Sequence, residues 1–185
     1  MTLLNTFSEL ARYNQWANAR LYQATLALPD ALYRRDAGVF FRSLHGTLNH
    51  LLLADRIWFT RLTGEGRQPN RLDEILHEDL INLARARATL DDRIIRLIGS
   101  YDERALARLV AYQMISGKSQ EQPLSDILLH VFNHQTHHRG QAHACLSIVT
   151  GSEPPALDLL LFQRGLPAPD LAALASGAQS TQGIA

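Results

Sequence analysis

Disulfide staples, membrane spans and excess charge are all missing from this chain. Cys145 is the single cysteine in 185 residues and cannot close an internal disulfide. Stability therefore has to come from a packed core, and a chain of this length can bury one as a single domain. No stretch approaches the roughly 20 consecutive apolar residues needed to cross a bilayer. The N-terminal MTLLNTFSELARYNQW breaks its apolar residues with polar ones every few positions, unlike a secretion signal. Together these absences predict a cytoplasmic protein with no membrane partner. Eighteen basic residues balance 18 acidic ones, the pI is near 7.1, and Arg34-Arg35 is the longest cationic run, so no footprint for a nucleic-acid backbone is present. A glycine-rich phosphate loop, a serine nucleophile elbow and a CxxC pair are absent too.

Helical periodicity fills most of what remains. Leu4, Phe7, Leu10, Ala11, Trp16, Leu21, Ala24 and Leu28 recur mostly every three or four residues, which predicts an amphipathic helix over 3–28, stopped by Pro29-Asp30. A second helix is expected over 40–62, closed by Gly64, and a third over 72–98, closed by Gly99. Between Tyr101 and Pro123 the pattern changes: 109–115 suits an extended chain and Ser116-Gly117-Lys118 is a turn signal, so a long crossover with a short irregular strand pair is expected. A fourth helix follows Pro123 and runs to about Thr150, before Gly151 and Pro154-Pro155. Helices of this length, about 33 to 40 Å at 1.5 Å per residue, predict an all-α four-helix bundle with a long crossover before the last helix. Residues 1–166 are read as that domain, with the apolar 157–162 patch capping it, and 167–185, rich in Ala, Gly, Ser and Gln, as a disordered tail.

The chemistry is concentrated in the histidines. His45 and His50 fall in the second helical segment, and His130, His134, His137, His138 and His143 in the fourth. Two helical residues at i and i+4 differ by about 40° in azimuth and about 6 Å in height, so both imidazoles can reach one ion. His130 with His134 and His134 with His138 meet that spacing, and His134 with His137 meets the usable i, i+3 spacing. Periodicity alone does not choose among them, although an interior stripe through Ile127, Val131, His134 and His138 favours the last i, i+4 pair. His45 and His50 stand about 140° apart, so at most one of them can serve, and His50 is on a plausible core stripe. A ferritin-like di-iron centre is disfavoured because neither helix contains a glutamate. Cys145 lies about 10 Å beyond His138 along the helix and reads as core. Asp55, about 140° from His50, reads as a salt-bridge partner of Arg139 or Arg56. Trp16 and Trp58 read as packing.

The segments RSLHGTLNHLLLADRIWF (42–59) and LLHVFNHQTHHRGQAHACL (128–146), with YNQWANARLYQ in the first helix, resemble the DinB family over about residues 1–165. The resemblance implies a bundle of up-up-down-down-like connectivity, usually a homodimer, with one divalent metal ion held by three histidines, which fall on His50, His134 and His138. Arg139 and Gln141 belong to the same motif. Some relatives use a low-molecular-weight thiol in transferase or isomerase reactions, so the expected function is a zinc, nickel, iron or manganese centre that activates a thiol or water toward a small electrophilic substrate. A metal-dependent transferase or hydrolase is thus one expectation. The alternative is a non-catalytic metal-binding stress-response dimer; the two are told apart by whether the open metal positions face a pocket or packed side chains. No catalytic residue beyond the metal ligands is assigned from the sequence.

Overall fold

The computed structural model describes residues 2–69 and 71–177. Four long helices dominate: α1 (Leu3–Leu26), α3 (Leu44–Thr63), α4 (Leu80–Gly99) and α5 (Leu124–Thr150), with a one-turn α2 (Asp30–Tyr33) after α1. Side-chain caps set several of their starts. Thr2 accepts from the Asn5 amide, Ser43 from that of Gly46 and Asp79 from that of Asn82, each satisfying an amide that has no partner within its own helix. Gly64 and Gly151 end α3 and α5 in the left-handed conformation that favours glycine. α1 packs on α4 and α5, while α3 packs on α5 and α4, so α1 and α3 are consecutive long helices without being principal neighbours. The core between them is aliphatic and aromatic, with Phe7, Leu21, Leu44, Leu48, Leu52, Leu83 and Leu124 fully buried.

Three features depart from the sequence expectation. First, the molecule is mostly helical rather than all-α. Strands β1 (Leu109–Gln113) and β2 (Ser119–Pro123) form an antiparallel hairpin pairing Leu109 with Pro123 and Gln113 with Ser119. Second, α4 begins at Leu80 and not at 72. The side chain of Asn49, inside α3, accepts hydrogen bonds from the Leu76 and His77 amides and donates to the His77 carbonyl, and these bonds hold the segment ahead of Asp79 as a non-helical strap on α3. Third, the tail expected to be disordered over 167–185 folds in part. α7 (Leu171–Gly177) buries Leu171 and Ala175 against α4 and α1, and Arg85 donates to the Ala175 carbonyl; positions 178–185 lie outside the described residues. The 157–162 patch does cap one end: with α6 (Leu159–Gln163) it packs Leu157, Leu161 and Phe162 on Tyr13 and Trp16. Tyr13 donates to the Leu157 carbonyl and Trp16 to that of Leu166. No helix among the described residues is long and apolar enough to cross a membrane.

Candidate metal centre

α3 and α5 pack side by side, and their facing stripes bring three histidines together. His50 on α3 meets His134 and His138, one turn apart on α5, with ring centroids 5.4 and 4.5 Å from that of His50 and 4.3 Å from each other. One ring nitrogen from each can be chosen so that all three lie within 4.8 Å of one another. His50 is buried, and its Nε2 has no hydrogen-bond partner although water does not reach it. An orphaned buried nitrogen of this kind is costly unless something binds there.

The outer partners fix which nitrogens face inward. His50 Nδ1 donates to the Leu72 carbonyl at 2.8 Å, and His138 Nδ1 donates to Gln141 Oε1 at 2.8 Å. Each of these rings therefore carries its hydrogen away from the cluster and leaves Nε2 as a lone-pair donor, the arrangement that orients metal-binding histidines. Burial lowers the pKa of all three. His134 is pushed down to about 3 by burial and by the neighbouring imidazoles, and no carboxylate opposes this. The cluster is thus neutral near pH 7, as ligation requires, and its convergent lone pairs could hold a divalent cation.

Residues outside the triad build its walls. Phe41 stacks on His50, with centroids 3.9 Å apart, and meets His138 edge-on. The loop reaches that position because position 46 is glycine: a β-carbon there would lie 2.1 Å from the Phe41 carbonyl oxygen. The next residue, Arg42, takes a left-handed φ of 68°, an unusual conformation for a side chain other than glycine. A cavity of about 460 Å³ opens beside His50 and His134, bounded by Trp58 and the β-hairpin.

Other residues singled out from the sequence take different places. His45 is buried and bonded to the Tyr33 hydroxyl, away from the cluster. His130 lines the cavity against Trp58 and His134, and exposed His137 bonds to Gln141. Cys145 is core, and burial raises its thiol pKa. Asp55 is a salt-bridge residue as expected, but its partner is Arg87 at 2.7 Å rather than Arg139 or Arg56. Arg139 is buried, donating to Asn14 and lying over the Tyr13 ring, while Gln135 donates to the Leu51 carbonyl across the helix interface. Trp16 packs, whereas Trp58 forms cavity wall. The sequence reading missed Phe41, Asn49, Gly46 and Leu72. Of these, the Asn-His pair at 49–50 and the glycine one turn before it carried a signal; Leu72 acts through its backbone and carried none.

A mostly helical scaffold with an open three-histidine cluster defines the class of protein. The comparisons agree: the family model of the DinB family matches residues 1–170, and the chain belongs to that family. It is 29% identical over 161 residues to Protein DinB of Bacillus subtilis strain 168, covering 83% of this chain and 92% of that protein. The crystal structure of a DinB-like protein from Bacillus cereus ATCC 10987 superposes with a TM-score of 0.58 at 19% identity, covering 76% of this chain and 90% of the other.

Proposed function

We propose that this DinB-family chain is a metal-dependent enzyme built on a four-helix bundle, which presents a nucleophile to a small electrophilic molecule. The observation that carries the reading is the cavity. It borders His50 and His134, so two of the three histidines adjoin a space of small-molecule size instead of packed side chains alone. His50 and His138 offer Nε2, held in that role by Leu72 and Gln141, and His134 completes the set. A divalent ion on three neutral imidazoles keeps its double charge and supplies Lewis acidity that lowers the pKa of a thiol or of water. Imidazole nitrogens place no negative charge beside it, and Phe41 shields the face of His50. The reaction class is substitution at an electrophilic carbon: a sulfur–carbon or oxygen–carbon bond forms, the leaving group departs with its bonding pair, and the thiol or water proton passes to solvent. Any low-molecular-weight thiol is a cosubstrate rather than a resident group.

The test is elemental analysis of tag-free protein beside His134→Ala, followed by a thiol-plus-electrophile turnover screen. About one divalent ion per chain, lost in the variant, with turnover absent from metal-stripped protein, is the expected result. Metal without turnover would favour the non-catalytic metal-binding role, and no metal in either protein would remove the reading altogether.

A further inference from the structure

The far end of the cavity holds a cation with no counter-ion. His50, Ala54, Ile57, Trp58 and Arg61 follow one another at helical spacing along α3, so the groove runs about 16 Å along the helix axis from the histidine cluster to the Arg61 backbone. Arg61 lies over two aromatic rings, 4.5 Å from the Trp58 centroid and 4.8 Å from that of Tyr112. Its Nε is buried without a hydrogen-bond partner. Among the described residues no carboxylate pairs with it, whereas Arg34, Arg87 and Arg93 each pair with an aspartate or a glutamate. Asp126 also borders the cavity, but it is exposed at the start of α5, where its bond is to Ser125. Most of the remaining wall is apolar or aromatic, Ile57, Trp58, Tyr112, Met114, Ile115 and Ile127 among it, with Ser116, Gln122 and His130 as its neutral polar members.

We propose that the cavity binds a small organic anion, with an apolar body lying along the hairpin and α3 and a carboxylate held by the Arg61 guanidinium, so that its other end reaches the histidine cluster. The reasoning is one of complementarity. A partly desolvated guanidinium without a partner is unfavourable in the empty groove, and a carboxylate ligand restores the missing charge-assisted hydrogen bonds. Both rings lie within cation–π reach of the guanidinium, and no hydrogen bond among the described residues occupies its N–H groups, so they stay available for an oxyanion. The predominantly apolar walls assign the charged group to the electrophilic substrate rather than to a strongly hydrophilic thiol. This assignment names the substrate class for the activity proposed above and rests on that reading for its catalytic meaning, but binding at Arg61 can be measured without it.

The probes are 3-phenylpropionate and its neutral amide, titrated calorimetrically into metal-stripped protein, so that the carboxylate has no metal ion to bind. The expected result is at least tenfold tighter binding of the carboxylate, with that preference abolished in Arg61→Met and retained in Arg61→Lys, which keeps the charge. Equal binding of acid and amide by the native protein, or a preference that survives Arg61→Met, would overturn the assignment. If Arg61→Met weakens the amide as well, Arg61→Lys decides: a retained preference supports the assignment and a lost one overturns it. Failure of the metal reading appears separately, as absent metal in the elemental analysis, and leaves this titration readable.

Discussion

Two polar clusters share the same helices and are built on opposite principles. At one, Arg87 and Arg139 are buried with Asp55 and Asp91. Arg87 Nη1 donates to Asp55 at 2.7 Å, its Nη2 lies 2.8 Å from Asp91, and Asn14 and Asn18 link Asp91 to Arg139. Two cations face two carboxylates and the charge closes on itself. At the other, one step along α3 and α5, His50, His134 and His138 converge with no carboxylate beside them. Buried nitrogens without a hydrogen bond occur in both, Nε and Nη2 of Arg87 as well as Nε2 of His50, so charge is what separates the two. Asp55 lies five residues from His50 and Arg139 directly follows His138, so helical rotation alone separates a closed network from an open one. The lesson is that burial alone does not single out a candidate site; three neutral lone-pair donors converging without an opposing charge do.

The largest expected effect breaks the closed cluster. Arg87→Met leaves Asp55 and Asp91 buried without their cation, and loss of one partner from such a network costs about 3–5 kcal/mol. Urea unfolding should show that loss as a lower transition midpoint. A variant as stable as the native protein would mean that the network is not the structural element this comparison makes it.

That network also shows where sequence reading succeeded and where it stopped. The apolar stripe of the long, regular α5 favours His134 with His138 without choosing them, and the family resemblance makes the choice and adds His50. The hairpin was signalled by 109–115 and the Ser-Gly-Lys turn. Arg87 sits three residues from Ala84 and Leu90 on the buried stripe of α4, yet an arginine among such residues reads as a border position until its carboxylates are located on another helix. The true start of α4 was hidden for a similar reason. Residues 72–79 have acceptable helical spacing, and bonds from other elements, from Asn49 to 76 and 77, from His50 to the Leu72 carbonyl and from Arg34 to that of Glu78, hold them in another conformation. α7 was obscured by its composition, since its Ala, Ser and Gly residues resemble a tail until Leu171 and Ala175 find a surface.

The next effect sharpens the open cluster from outside. Asn49 touches no metal position; it holds the strap whose Leu72 carbonyl accepts from His50 Nδ1. Asn49→Ala frees the strap, and loss of an outer-shell partner typically weakens metal binding about 10- to 100-fold. Competition with a chromophoric chelator should register this with one site per chain retained. Asn49→Asp keeps the oxygen that accepts from the Leu76 and His77 amides and should restore part of the affinity, which a purely packing role would not predict.

The smallest effect concerns protons in the metal-stripped protein. Burial and mutual proximity depress the histidines, His134 to about 3 against an ordinary value of 6.5. Between those values the unfolded chain takes up protons that the folded chain refuses, so stability rises with pH across the window and is lost as pH falls below about 6.5. The slope is at most about 1.4 kcal/mol per pH unit for each histidine that stays neutral, and less for His134 and His138, which are only half-buried. Thermal unfolding between about pH 7.5 and 5 should therefore show a falling midpoint in the native sequence and a shallower fall in His134→Ala, which removes the most depressed group and relieves its two neighbours. The closed cluster contains no histidine, and Asp91, which burial raises to about 6, contributes a slope of the opposite sign there. An equal fall in both proteins would place the acid sensitivity elsewhere and remove the electrostatic distinction between the two sites.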